Sequence, residues 1–348
     1  MNKMKAAENK TLILDLLTGD YEEKIKKTAE ILKQGKIAVI PTETVYGLAA
    51  SCYDENAVKN IFAAKGRPQD NPLIVHISDM KMLENIAEEI PEKAFECANE
   101  FWPGPFTMIL KRSEKIPKSV SAGLDTVAVR MPSKKEAHDI IAEAGIPLAA
   151  PSANLSGSPS PTEPKYVLAD MNGRADCIAL AGNCDVGVES TVITLAAEKP
   201  RLLRPGAVTL EQLKKILPDI EIDKAVLSKL ESGAKVSSPG MKYKHYAPKT
   251  ETYLIEGSNE KFCEYINNSE NCAALCFEEE KNLIKIPFIA YGTEADEATL
   301  AKNVFSALRD ADGLNVQKLF VHAPSKSGVG LAVYNRLIRA AAFRVIKL

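Results

Sequence analysis

Lys65-Gly66-Arg67-Pro68 sets two cations two residues apart on a segment stiffened by glycine and proline. Gln69-Asp70-Asn71-Pro72 keeps that segment polar up to an apolar run. A lysine ammonium and an arginine fork held this way can neutralise adjacent phosphates, the arginine through two parallel N–H bonds. The same residues would serve a plain helix end, where glycine takes the left-handed turn and cations satisfy the last carbonyls. Local chemistry leaves both readings open. Similar polar groups follow other strand-like runs. Pro41-Thr42-Glu43-Thr44-Val45-Tyr46-Gly47-Leu48 gathers two hydroxyls, a carboxylate and a phenol in one bend, suited to a small polar ligand or to a capped turn. Thr126 and Arg130 stand four apart on one strand pattern and so share a face. Arg130 closes the apolar stretch Val127-Ala128-Val129, where a cation needs an anionic partner: a ligand carboxylate or a structural Asp or Glu. Pro151-Ser152-Ala153-Asn154, then Ser160 and Thr162, Glu189-Ser190-Thr191 and Leu203-Arg204-Pro205-Gly206 add hydroxyls, an amide, a carboxylate and a cation. Polar clusters at successive strand ends are how an α/β ligand crevice is built.

Other chemistries lack their residues. No phosphate-binding G-x-x-x-x-G-K-[ST] loop is present, no G-x-G-x-x-G after a strand, no H-E-x-x-H and no nucleophile elbow. There are four histidines, and His76 lies in an apolar strand pattern on the face of Ile74 rather than Val75. A core histidine is its default reading. Trp102, beside Pro103-Gly104-Pro105, reads as a packing residue. Of seven cysteines only Cys272 and Cys276 are close, across an apolar segment, which reads as a buried strand and not as a zinc site or a disulfide framework. A reducing, cytoplasmic compartment fits. Phosphate chemistry would therefore fall to lysine, arginine, hydroxyl and backbone groups.

The elements that must position these groups alternate short strands with amphipathic helices. Strand patterns cover 37–40, 73–77, 106–110, 126–130, 147–150, 177–180, 190–195 and 201–204, with helical spacing at 57–64, 80–90, 91–101, 134–144 and 211–217. The order lacks a regular βαβ rhythm, so the expected first domain (1–220) is α/β with a twisted mixed sheet. Small residues and prolines dominate 232–248, within an expected linker at 221–250. Beyond it, strands at 252–255, 273–277, 286–290 and 319–322 alternate with helices at 261–267, 295–311 and 330–343. That rhythm predicts a small three-layer parallel sheet at 251–348. Ser325-Lys326-Ser327-Gly328-Val329-Gly330 there resembles either a phosphate-binding helix start or an ordinary turn. Two domains suit a chain of 348 residues. The formal charge of −2 argues against long, non-specific nucleic-acid tracking. No apolar run approaches the roughly 20 residues of a membrane helix, and the polar start lacks a secretion core.

In order and in wording these motifs resemble the threonylcarbamoyl-AMP synthases, the YrdC/YwlC family. The resemblance rests on 41–48, 65–68, Pro103-Gly104-Pro105-Phe106-Thr107, Val129-Arg130-Met131-Pro132, 151–154, Ser190-Thr191-Val192 and Leu203-Arg204-Pro205-Gly206-Ala207. Ser238-Pro239-Gly240-Met241-Lys242-Tyr243-Lys244-His245-Tyr246-Ala247-Pro248 resembles the linker of its longer, two-domain branch. The resemblance implies a large concave, positively lined cavity. It also implies a reaction in which L-threonine, bicarbonate and ATP, with Mg2+, give threonylcarbamoyl-adenylate and pyrophosphate. The product would pass to the tRNA threonylcarbamoyl-transferase machinery, with no stable nucleic-acid binding and no membrane required. It puts Lys65 and Arg67 at the phosphates as catalytic groups, with Asn71 nearby. Thr126, Ser152, Ser160 and Arg204 would hold the nucleotide, with Tyr243 or Tyr246 covering it. Thr44, His76, Arg130, the backbone at Ala150, and Ser190 would hold threonine. Metal ligands stay unassigned. Rival readings are an RNA-binding module using the basic cavity, a carbamoyl-adenylate enzyme of another pathway, and a sensor that binds without turnover.

Overall fold

In the first domain the short apolar runs become strands because polar punctuation stops each after a few residues. The computed structural model describes residues 10–228 and 246–348. Its first sheet has strands β1 (Leu12–Asp15), β2 (Ala38–Ile40), β3 (Gly47–Ser51), β4 (Ile74–His76), β5 (Ala87–Glu88) and β6 (Phe106–Arg112). It continues with β7 (Thr126–Arg130), β8 (Leu148–Ala149), β9 (Cys177–Leu180), β10 (Thr191–Thr194), β11 (Arg201–Arg204) and β12 (Glu221–Ile222). The strand order is β1-β9-β2-β3-β8-β4-β7-β6-β10-β11-β12, with β5 paired to β6. Pairs β4/β7 and β6/β10 are parallel, while β2/β3, β4/β8 and β6/β7 are antiparallel, so the sheet is mixed as expected. Alternation sends successive side chains to opposite faces. Val39 and Leu48 join one core cluster with Val58 and Ile61, while Ile40 and Ala49 join another with Ile25, Leu32 and Ile141. Helices thus cover both faces.

Those helices are α1 (Tyr21–Lys33), α2 (Glu55–Lys65), α3 (Met80–Ile86), α4 (Glu92–Phe101), α5 (Lys118–Ser121), α6 (Lys135–Ala144), α7 (Pro164–Met171) and α8 (Leu210–Lys214). The boundaries follow capping chemistry. Asp54 accepts the first free N–H groups of α2 from Asn56 and Ala57, and Gly66 ends it in the left-handed conformation at φ 61°. The helix expected at 80–90 stops at Ile86 because the chain turns extended into β5. Helices α1, α5 and α7 and strands β1, β3, β5 and β12 lie outside the expected elements.

The second sheet, β13 (Glu251–Glu256), β14 (Cys272–Cys276), β15 (Phe288–Ala290), β16 (Lys318–His322) and β17 (Val345–Lys347), is parallel throughout, in the order β15-β14-β16-β13-β17. Helix α9 (Asn259–Asn267) covers one face through Phe262 and Ile266. Helices α10 (Glu297–Ala311) and α11 (Gly330–Ala340) cover the other, and every residue of α11 is buried. Their core cluster includes Val45, Val188 and Tyr246 from beside the first sheet, with Val304 and Phe305. The contact is close. At Gly187 (φ +82°) an added Cβ would lie 2.3 Å from the Cα of Lys302 on α10. Arg309 bonds the Pro159 carbonyl (3.0 Å) and pairs with Asp170 at 2.6 Å. The glycine-rich turn before α11 already has an anion: Glu297 accepts from Ser325 Oγ and from Gly330 N–H at 2.7 Å. That turn is an internally capped helix start.

Candidate active site

The polar groups converge where several strand ends meet on one edge of the first sheet. His76 and Arg130 close the parallel strands β4 and β7 in direct register, and Thr107 of β6 faces Arg130 from the other side. Ser190 leads into β10, and Arg204 ends β11. The turn 41–46 is held to the loop 150–154 by Leu48 N–H to Pro151 O (2.8 Å) and Ala153 N–H to Tyr46 O (2.7 Å). Gly206 lets β11 leave tightly, since a Cβ there would come 2.4 Å from the Thr191 nitrogen. These elements enclose a cavity of about 50 Å³.

Eight of the sequence-predicted residues line it. Arg67, Ser152, Arg204 and Tyr246 come from the nucleotide set, and His76, Arg130, Ala150 and Ser190 from the threonine set. Gly66 gives Arg67 its aim: the left-handed exit caps α2 and turns the next residue toward the cavity. The capping and ligand readings of this segment are therefore compatible. Arg67 Nη2 is buried and has no hydrogen-bond partner among the described residues. Burial lowers its pKa from the usual arginine value. Arg204 donates to Ser190 O (3.0 Å) and Ser190 Oγ (3.1 Å), and Thr107 and Ser190 share a hydroxyl bond of 2.7 Å. His76 shares the cavity face with Ile74. Burial, aided by the Arg130 charge, drives its imidazole down to about 3, so it is neutral at physiological pH. Ala150 donates its N–H to Ile74 O at 2.9 Å, so its backbone donor is already used. Tyr246 lies at φ 63°, packed on Phe305 with ring centroids 5.0 Å apart. Tyr243 lies outside the described residues.

Arg130 has its anion inside the protein. Its Nη2 lies 2.7 Å from Glu43 Oε1, and Nη1 donates to Thr44 Oγ1 at 2.9 Å. Burial would raise the Glu43 carboxyl, but Arg130 outweighs it and holds the group below the ordinary range. The structural-carboxylate alternative is thus realised, and a ligand carboxylate would be a second partner.

Four other residues sit behind the wall. Lys65 is 2% exposed. Its ammonium donates to Ser152 O, to Asn154 O (2.7 Å) and to Asn154 Oδ1 (3.4 Å). All three of its protons are directed into the 152–154 loop. Burial, then the nearby Arg67 charge, brings its pKa down to about 7. Thr44 is buried between Arg130 and Thr42. Ser160 is fully buried and donates to Glu189 Oε1 at 2.5 Å. Asn71 is buried with Oδ1 unpartnered among the described residues. Thr126 is not brought to the cavity. It lines a separate depression with Pro91, Lys111 and Leu195. Alternation fixes the face of a strand, yet four residues at about 3.3 Å each put Thr126 roughly 13 Å from Arg130 along the axis.

The motif 189–191 assigns Glu189 no role, yet among the described residues it is the one carboxylate lining the cavity. Burial would raise its carboxyl, but Arg336 and Arg204 prevail and hold it at about 2. Arg336, on α11 of the second domain, is fully buried and lies 2.9 Å from Glu189 Oε2. Asn335, Arg336 and Arg339 are polar residues in an otherwise apolar helix, a signal that could have singled them out. Among the described residues no three His, Cys, Asp or Glu side chains gather to hold a metal. Mg2+ commonly keeps waters and binds through one or two carboxylates plus substrate phosphates. The donor set here offers no protein cage, so no residue is assigned to a metal. No described helix is long and apolar enough to cross a membrane.

A family model described as "Telomere recombination" (Sua5, YciO, YrdC) matches residues 30–206. A second, "Threonylcarbamoyl-AMP synthase, C-terminal domain", matches 208–342. The threonylcarbamoyl-AMP synthase of Pyrococcus abyssi is 45% identical over 97% of this chain and 99% of its own. The chain belongs to the threonylcarbamoyl-AMP synthase family. The Bacillus subtilis synthase is 42% identical over 96% of both chains. The crystal structure of P. abyssi Sua5 complexed with L-threonine matches at a TM-score of 0.87 and 40% identity, over 97% of this chain and 99% of that one. Kinship with these synthases makes the chain an enzyme, and both sheets belong to the family architecture.

Proposed function

We propose that the chain makes L-threonylcarbamoyl-adenylate and pyrophosphate from L-threonine, bicarbonate and ATP, for threonylcarbamoyl-adenosine in tRNA. The observation that carries this reading is one cavity lined by Arg67, Arg130 and Arg204, whose only lining carboxylate among the described residues is neutralised from behind by Arg336. Such a field suits a polyanion and an amino-acid carboxylate together. The threonine complex of the P. abyssi relative supports the amino-acid half.

The reaction balances as L-threonine plus bicarbonate plus ATP giving threonylcarbamoyl-adenylate, pyrophosphate and water. The threonine nitrogen forms a bond to the bicarbonate carbon, with loss of water. A carbamate oxygen then attacks the α-phosphorus, and the bond to the β,γ-diphosphate breaks. Charge grows on the phosphoryl oxygens and the leaving group, where preorganised cations lower the barrier most. Arg67, with a buried N–H group unpartnered among the described residues, and Arg204 fill that role. Lys65 supports them by fixing the loop that presents Ser152. Arg130 and Ser190 hold threonine, Thr44 orients Arg130 from behind the wall, and neutral His76 accepts or donates one hydrogen bond without adding charge. Tyr246 walls the cavity on the side of the second domain. Mg2+ in this reading arrives on the triphosphate and offsets part of its charge. Pyrophosphate release measured with ATP, threonine and bicarbonate each omitted in turn tests the reading. Release that persists without threonine would point to another carbamoyl-adenylate reaction, and ATP and threonine binding without any release to a sensor.

A further inference from the structure

The wall of the cavity facing the second domain has an unusual composition. Glu189 presents a carboxylate to a space that, on the proposed function, receives ATP. A fixed anion there would repel the phosphates. Arg204 and Ser160 of its own domain offset part of that charge, but the largest compensation comes from the second domain. Arg336 Nε lies 2.9 Å from Glu189 Oε2, and Nη2 donates to Glu189 O at 3.1 Å. Nη1 donates to Pro205 O (2.7 Å), the residue after Arg204. One side chain from α11 therefore grips both sides of the cavity wall. Ser160 adds a single hydroxyl to Glu189, and Arg204 is directed to Ser190. Asn335 and Arg339, from the same helix, tie Val226 and Ala225 at the end of the first domain.

We propose that Arg336 is a positioning residue for nucleotide binding, through which the second domain sets the charge of a cavity built by the first. With Arg336 in place the Glu189 carboxylate is neutralised and the wall favours phosphate. Without it a carboxylate in the cavity wall is buried and poorly compensated, far more costly than the loss of one surface contact. This assignment rests on ATP being the ligand.

The test is a charge cycle in the full-length protein, read by calorimetric titration with ATP alone and, separately, with L-threonine alone. Arg336→Gln keeps a donor but removes the charge. In the native background it raises the ATP Kd by about tenfold or more, while the threonine Kd moves less than threefold. In a Glu189→Gln background the same Arg336→Gln change moves the ATP Kd less than threefold, because no carboxylate is left to neutralise. Equal losses in both backgrounds, or an equal loss of threonine affinity, would overturn the proposal and leave Arg336 a packing residue. If Arg336→Gln alone does not fold, the comparison of Glu189→Gln with the double variant still decides. A double variant that unfolds while Glu189→Gln folds counts against it. Failure of the unaltered protein to bind ATP would instead sink the proposed function.

Discussion

Lys65 and Arg67 are two residues apart, yet their surroundings predict opposite balances between stability and turnover. Arg67 Nη2 has no hydrogen-bond partner among the described residues, so at that nitrogen Arg67→Met strands no acceptor and costs only the charge attraction to Asp70. It does remove a charged donor from the cavity wall. A hydrogen bond to a charged group contributes about 1.5–3 kcal/mol, which corresponds to roughly 10–150-fold in kcat/KM for ATP. The melting temperature should stay within about 2 °C of the unaltered protein. Lys65→Met instead strands the carbonyls of Ser152 and Asn154 in a buried loop. Two orphaned acceptors cost about 2–6 kcal/mol. Burial, then Arg67, already disfavours this ammonium and lowers its pKa to about 7, so relief of that desolvation moves the loss to the lower end. About 2 kcal/mol lowers the melting temperature by roughly 4–8 °C, with turnover falling as Ser152 loses its place. Scanning calorimetry and pyrophosphate release at varied ATP measure both axes. Near-normal turnover in Arg67→Met, or equal melting losses in the two variants, would refute the division of labour.

Arg130→Lys keeps the charge but cannot meet Gly104 O, Thr44 Oγ1 and Glu43 at once; the threonine KM should rise about tenfold or more while the ATP KM changes little, and an unchanged threonine KM would dismiss carboxylate recognition there. Glu189 has a folded-state pKa of about 2 against an ordinary 4.5. Its contribution is present above the unfolded value and lost as pH falls toward 2, so the urea midpoint difference between the native protein and Glu189→Gln should shrink across that window; a pH-independent difference would mean that the carboxylate is not held charged. Gly206→Ala forces a Cβ to 2.4 Å from the Thr191 nitrogen and should destabilise by about 2 kcal/mol or more on chemical unfolding; a neutral effect would show that β11 can shift.

The strand ends were legible because polar residues interrupt apolar runs, and the chain must turn where they do. The 65–68 segment was legible as a cap from glycine alone, and Gly66 does take the left-handed exit. Position along a strand was not. Thr126 and Arg130 share a face, but spacing says nothing of which end of β7 reaches the cavity. The confinement of Lys65 was also hidden, since its acceptors lie 87 and 89 residues away. The Arg336–Glu189 pair spans 147 residues, and only the docking of α11 brings it together. Helix α1 carries its signal in Ile25, Ala29 and Leu32 behind an Asp20 cap, but charged residues crowd its exposed face and mask the period.

The core shared by Val45, Val188 and Tyr246 with α10 and α11 bears on how the chain is born. During synthesis the first sheet can assemble once residue 228 has emerged, but the helices that cover Val45 and Val188 end at Ala340. At about 5–20 residues per second, roughly 6–22 s separate those events. Through that interval the nascent protein carries an uncovered apolar face and a Glu189 still waiting for Arg336, so its window for chaperone capture is set by the length of its own downstream third.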